Sequence, residues 1–337
     1  MLGIRIFAFA GLGAVLWLAA AAQSPGGNAA WRPRVPLGLD LYMPVPESNP
    51  LTQKKAELGR KLFFDPILSR DLSLSCAGCH QPEHAFTDAR RVAVGVFGRT
   101  GTRNAPTLVN RAWGRAHFWD GREAALESTV LKPIQNPDEL DMMLEEAVAR
   151  LRAHAEYPLL FQQAFGREPA AEDLAHALAS FVRSILSGDA PVDRYMNGDR
   201  AALTEEQLLG LRIFRGKGNC VACHVGPNFT DEQFHNTGVA WRDGALQDAG
   251  RFATSGREAD RGAFKTPTLR NVALTAPYMH DGSLAALEDV VEFYDRGGNA
   301  NPHLDAEIRP LHLAPEEKRA LITFLRSLTG SLPTVGR

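Results

Sequence analysis

Cys76-Ala77-Gly78-Cys79-His80 and Cys220-Val221-Ala222-Cys223-His224 contain all four cysteines of the 337-residue chain. Four cysteines in an exported protein would ordinarily read as disulfides, and paired C-x-x-C motifs can also form a zinc ribbon. The pairs of a zinc ribbon lie about 15–20 residues apart; here Cys79 and Cys220 are separated by roughly 140 residues. Histidine directly after each pair points instead to covalent haem c. Two thiols make thioethers with the porphyrin vinyl groups, and the adjacent imidazole reaches the iron. Two such sites with no cysteine left over predict two haems c, with His80 and His224 as iron ligands.

The motifs sit in a duplicated unit. Gly59 to Phe63 and Gly210 to Phe214 share a Gly-x-x-x-Phe pattern near the end of an expected helix, the second opening on a Thr204/Gln207 capping box. Ala105-Pro-Thr-Leu-Val-Asn110 matches Thr266-Pro-Thr-Leu-Arg-Asn271. Asp120-Gly121 and Asp281-Gly282 follow at equal spacing, then Ala124-Ala-Leu-Glu127 and Ala285-Ala-Leu-Glu288. Each copy closes on a helix with Phe-x-Arg-Ser: Phe181 to Ser184 and Phe324 to Ser327. Leu140, Leu144, Ala147 and Leu151, and again Leu178, Phe181 and Ile185, recur at helical spacing. The fold expected is mainly α, with two tandem cytochrome c-like helical domains over 51–195 and 196–337, joined near 188–202. The stretch 225–263 is aperiodic and rich in Gly, Asp and Arg, as functional or mobile loops are.

Length and composition agree: roughly 150 residues per domain allows two. Hydrophobic residues are 45% and charged residues 23%, which excludes a disordered chain. A net charge of -2 offers no electrostatic footprint for nucleic acid or an anionic membrane surface. Arg5, the apolar run Ile6 to Ala22 and the small residues Ala20-Ala21-Ala22 read as a signal peptide over 1–22. An uncleaved anchor is the alternative; the run is short for a membrane span and lacks basic residues behind it. The expected mature protein starts near Gln23, is periplasmic, and has no stable membrane insertion. Residues 23–50, rich in proline, read as an extended arm and not a packed element.

The two copies differ where it matters. Leu287, Val290, Val291 and Tyr294 share one helix face, and the repeat register sets Tyr294 opposite Pro133. Tyr294 is either a core tyrosine with a hydrogen-bonded hydroxyl or a phenolate ligand to the second iron. Proline cannot ligate, so the second alternative leaves one closed iron and one open iron, an arrangement for a redox enzyme.

Arg103-Asn-Ala-Pro106, Phe118-Trp-Asp-Gly-Arg122, Pro133-Ile-Gln-Asn-Pro137 and Thr266 to Tyr278 together resemble the bacterial dihaem cytochrome c peroxidase superfamily. The resemblance spans nearly the whole mature chain and is strongest to its MauG-like branch. Tyr294 matches the position that is methionine in the peroxidases and tyrosine in MauG-like enzymes; Met279 matches an aromatic position. The resemblance implies several roles. Trp119 is a relay between the haems, otherwise a buried aromatic. Glu139 is the distal acid moving a proton during peroxide cleavage, otherwise a first-turn helix glutamate favoured by the macrodipole. Asn104, with the carbonyls of Thr275 and Pro277, would hold an inter-domain Ca²⁺. Two departures stand out. No histidine lies in 90–102, where the peroxidases keep a capping ligand, and Thr129 replaces a distal glutamine. Tyr294-Asp-Arg-Gly-Gly298 and Phe234-His-Asn-Thr-Gly238 are similar to a subgroup encoded beside methanobactin-type genes.

The implied function is hydrogen peroxide-dependent oxidation of an aromatic residue, a tryptophan foremost, on a partner protein, by long-range electron transfer with the oxidising equivalents shared across both haems. The alternative is a cytochrome c peroxidase drawing electrons from a small periplasmic donor protein. A dihaem electron carrier or peroxide sensor without turnover is the non-enzymatic reading.

Overall fold

The computed structural model describes residues 30–333. The expected signal peptide and the start of the arm lie outside the described residues. Eight helices of six or more residues are described: α1 (Gln53–Phe64), α2 (Leu144–Ala153), α3 (Tyr157–Phe165), α4 (Ala171–Arg183), α5 (Pro191–Met196), α6 (Glu205–Arg215), α7 (Leu287–Asp295) and α8 (Pro315–Arg326). The only strands among these residues are two-residue pieces: Phe234–His235 pairs antiparallel with Phe264–Lys265, and Trp241–Arg242 with Ala245–Leu246. The chain is mainly helical, as its periodicity predicts.

The duplication is visible in the packing. Helix α1 crosses α4, and α6 crosses α8. A Cβ on Gly59 would fall 1.9 Å from the Ala177 carbonyl oxygen; one on Gly210 would fall 2.0 Å from that of Ala320. Each glycine therefore lets two backbones approach more closely than any side chain allows, which explains the Gly-x-x-x-Phe pattern. One turn on, Phe63 meets Phe181 at 5.0 Å and 58°, and Phe214 meets Phe324 at 5.2 Å and 56°. Two cores grow from these pairs. The first gathers Leu62, Phe86, Tyr157, Phe161 and Leu174; the second gathers Val192, Leu211, Val291 and Leu321. Thr204 and Gln207 cap α6 reciprocally, as expected. Helix α2 begins at Leu144, so Leu140 is buried in the turn before it and not on the helix.

The arm is extended but packed, contrary to expectation. Leu39 and Asn49 are buried. The Leu37 carbonyl accepts from the Asp189 amide, and the Gly38 carbonyl accepts from the buried Arg270 guanidinium. Apart from two turns closed by the Leu39 and Asn49 amides, the arm's backbone makes few internal hydrogen bonds, so carbonyls such as those of Leu37 and Gly38 are free to accept from the body of the protein. The loop 225–263 is also laid down firmly, for it carries residues that bind across to the first copy.

Candidate functional site

One cavity of about 980 Å³ runs between the two cores. Its wall includes Cys76, Cys79 and His80 from the first copy and Cys220, Cys223 and His224 from the second, with Trp119, Glu139 and Tyr294. Cys76–Cys79 is a single helical turn, and the 3₁₀ turn Cys220–Ala222 brings Cys220 and Cys223 to one side. All four thiols are free. Burial drives Cys76, Cys79 and Cys220 up to about 12, so none is poised as a thiolate nucleophile. The four do not converge on one point among the described residues, which excludes a zinc ribbon.

Both histidines leave one ring nitrogen free for a metal. His80 Nδ1 donates to the Phe86 carbonyl at 2.9 Å, and His224 Nδ1 to the Phe229 carbonyl at 2.8 Å. A carbonyl only accepts, so each Nδ1 carries the proton and Nε2 is the ring nitrogen left for a metal. Burial lowers both pKa values, His224 to about 4, keeping the rings neutral as ligation requires. A long cavity with a Cys-x-x-Cys-His turn from each copy on its wall fits two covalent haems.

Pro133, Thr129 and Glu139 of the first copy also border the cavity. Glu139 lies in the turn ahead of α2, not in a helical first turn, so the macrodipole reading does not apply. Its amide donates to the Asn136 carbonyl at 3.0 Å and its carbonyl accepts from Val96 at 2.8 Å. Burial raises the Glu139 pKa, partly offset by the Asn136 side-chain amide at 2.7 Å and by Arg122. Thr129 turns its hydroxyl onto the Ala125 carbonyl of its own helical turn, at 2.7 Å, so its proton is spent locally. The segment 90–102 folds back through the Val94–Thr100 bridge; Ala93, Gly101 and Thr102 reach the cavity while Phe97 points outward.

Across the cavity stands Tyr294, in the last turn of α7. Its hydroxyl makes no hydrogen bond among the described residues, whereas the buried Tyr157 and the half-buried Tyr278 donate to Asp65 and to the Val272 carbonyl. A core tyrosine would be satisfied in that way. Burial raises the Tyr294 pKa, so the phenol keeps its proton unless a cation replaces it. Met279 also lines the cavity.

Trp119 Nε1 donates to the Asn104 carbonyl at 2.8 Å. Asn104 Nδ2 donates to the Arg90 carbonyl, and Oδ1 accepts nothing among the described residues; nor do the carbonyls of Thr275 and Pro277. All three residues line the cavity. An all-oxygen set without donors suits a hard cation such as Ca²⁺.

Sequence reasoning missed the ion network that ties the copies together. Arg103 bridges Asp120 at 2.7 Å and Asp248 at 2.8 Å, while Arg111 grips Glu232 at 2.7 Å. Asp248 and Glu232 both come from the aperiodic loop, where no periodicity could signal a partner. His117 and His280 line the cavity as well, lowered by burial to about 3 and about 4.

Residues 53–201 match the family model described as di-haem cytochrome c peroxidase. The methylamine utilization protein MauG of Methylorubrum extorquens is 43% identical over 85% of this chain and 81% of its own. The cytochrome c551 peroxidase of Pseudomonas aeruginosa is 35% identical over 88% of this chain and 86% of its own. The crystal structure of a MauG-like protein associated with microbial copper homeostasis superposes with a TM-score of 0.80, at 35% identity, covering 87% of this chain and 95% of that one.

Proposed function

Because this chain belongs to the di-haem cytochrome c peroxidase family, and is a haem oxidoreductase acting on peroxide, we propose that it is a MauG-like member that oxidises an aromatic residue of a partner protein. The half-buried Tyr294, which lines the cavity with a hydroxyl that has no hydrogen-bond partner among the described residues and which the repeat register matches to Pro133, is the observation that carries this reading. Cys76, Cys79 and His80 would hold one haem c, and Cys220, Cys223, His224 and Tyr294 the other. When bound, the haems would supply redox-active iron for peroxide reduction, with Tyr294 the residue that would offer the second of them an oxygen ligand and Pro133 offering the first none.

The residues of the chain do the rest. Peroxide reduction breaks the O–O bond, takes up two protons and two electrons, and releases two waters. Glu139, whose pKa burial raises, lines the cavity and is the residue that would pass a proton to the leaving oxygen. Val96 and Asn136 fix its turn. Pro133 and Thr129 offer the open side neither a ligand nor a second acid. Trp119, held by the Asn104 carbonyl, lies on the wall common to both motifs and serves as the electron relay. Electrons come from the partner's aromatic side chain, a tryptophan in the reading we favour, which loses two. Asn104, Thr275 and Pro277 would hold Ca²⁺ and brace the seam between the copies. The protein would act in the periplasm after removal of residues 1–22; no described helix is long and apolar enough to cross a membrane.

The competing reading is a peroxidase fed by a small donor protein, favoured by the 35% identity to the cytochrome c551 peroxidase. The deciding experiment adds peroxide to the fully oxidised protein without a reductant. Consumption of peroxide and oxidation of a co-purified partner support the MauG-like reading; a strict need for prior reduction supports the peroxidase.

A further inference from the structure

The copies meet through a reciprocal pair of hydrogen bonds. The Asn104 amide donates to the His280 carbonyl at 2.7 Å, and the Lys265 amide donates to the Trp119 carbonyl at 2.8 Å. In the repeat register that aligns Pro106 with Pro267 and Asp120 with Asp281, Asn104 corresponds to Lys265 and Trp119 to His280. The seam is thus a pseudo-twofold, and the set Asn104, Thr275 and Pro277 has a mate in the repeat register. The register puts that mate at Lys265, Gly114 and Ala116.

There the chain supplies cations of its own. Arg111 Nη2 donates to the Ala116 carbonyl at 2.8 Å. A Cβ on Gly114 would lie 2.1 Å from the same nitrogen, so the guanidinium fills the space beside these backbone groups. Arg111 has no counterpart in the other copy, where the register places Val272. Glu232 is already engaged by Arg111 at 2.7 and 3.1 Å and by the Arg115 amide at 3.1 Å. Lys265 Nζ comes no nearer to it than 3.5 Å and has one short hydrogen bond, to the Thr266 carbonyl at 3.0 Å. Glu232 is thus the one carboxylate both buried cations contact, with Asp231 acting on Lys265 from farther away. His117 beside them is neutral, and burial together with Arg111 lowers Lys265 to about 8. An ammonium carries three donors, and a buried, under-satisfied cation calls for an anion. Lys265 and Arg111 both line the cavity.

We propose that Arg111 and Lys265 form a built-in cation at the pseudo-twofold mate of the Asn104 oxygen cluster, and that Lys265 Nζ binds a haem propionate there. This rests on the two-haem reading and is independent of whether the electron source is a partner's aromatic residue or a donor protein. Lys265 is a positioning residue: it anchors the carboxylate and its charge favours the ferrous state of the haem it serves.

The test is spectroelectrochemical titration of holoprotein whose two haems have been verified by mass. Lys265→Gln removes one positive charge beside the carboxylate, and Lys265→Met does so while preserving the apolar stem. Each is expected to shift one haem's reduction equilibrium about tenfold towards ferric, which is about 59 mV for one electron. Lys265→Arg is expected to restore at least half of that shift. Haem-replete Gln and Met variants with both potentials unmoved would overturn the proposal, as would a shift that Lys265→Arg fails to rescue. A wild-type protein lacking two haems would overturn the underlying functional reading as well, and is recognised before any titration begins.

Discussion

Trp119 and Asn104 are joined by an indole-to-carbonyl hydrogen bond of 2.8 Å, and Asn104 in turn holds the second copy through the His280 carbonyl. The indole is therefore fixed at the seam by a residue that bonds both copies. A relay must keep its place between donor and acceptor. Trp119→Phe keeps the bulk, loses the N–H and leaves a ring far harder to oxidise. The expected outcome is a protein with both haems and unchanged peroxide binding, but with partner oxidation slowed at least tenfold. Stopped-flow measurement of the two steps separates them; equal slowing of both would give Trp119 a structural role only.

Gly59 and Gly210 predict a stability result. Placing a methyl 2.0 Å from the Ala320 carbonyl oxygen forces α6 and α8 apart, and overpacking of this kind costs about 1–3 kcal/mol. Gly210→Ala, and likewise Gly59→Ala, should lower the denaturant midpoint by the corresponding amount. Wild-type midpoints in both variants would mean that the helices slide without loss.

The helical fold, both haem motifs and the repeat register were legible because they reside in local pattern: Cys-x-x-Cys-His, Gly-x-x-x-Phe and a capping box. Resemblance singles out Glu139, yet its setting was not legible, since the turn before Leu144 depends on Val96 and Asn136 meeting it from two sides. The packing of the arm was not legible, because proline reports backbone conformation and nothing about which donors, such as Arg270, will find its carbonyls. Arg103–Asp248 and Arg111–Glu232 join residues more than a hundred positions apart through an aperiodic loop. Lys265 is the exception: the register alone already set it against Asn104, a difference as informative as Tyr294 against Pro133.

Cysteine substitution checks the cofactor count. Wild-type protein should carry two covalent haems by intact mass. Ser at both Cys220 and Cys223 should leave one, with His80 still ligating. A disulfide between Cys76 and Cys79, or one haem in the wild type, would refute the assignment.

Glu139 carries the pH prediction. Its carboxyl has a raised pKa because burial penalises the charged form, with Asp138 adding to this and Asn136 and Arg122 opposing it. The protonated form is the useful one, so peroxide cleavage should decline as pH rises through that raised pKa and hold steady below it. By linkage the same group stabilises the folded protein at low pH, and that contribution fades as pH rises through the folded value. Glu139→Gln should remove this limb of the rate profile and slow cleavage by about 10²–10⁴-fold. An unaltered profile in Glu139→Gln would assign the proton to another donor.

Tyr294 decides between the two enzyme readings. Its hydroxyl has no hydrogen-bond partner among the described residues, and burial holds the phenol protonated until a cation displaces the proton. A ferric iron is such a cation, and a hard anionic oxygen favours the oxidised state where a thioether favours the reduced one. The oxidised wild type should therefore show one high-spin, five-coordinate haem and one low-spin haem by electron paramagnetic resonance. Tyr294→Phe deletes only the oxygen and should abolish the low-spin signal; Tyr294→Met should retain six-coordination but raise that haem's potential and impose a need for prior reduction. Met279 also lines the cavity and makes the experiment a fair one. If Tyr294→Phe kept the wild-type spectrum while Met279→Leu lost it, the thioether would be the ligand, and the donor-fed peroxidase would become the better account of the chain.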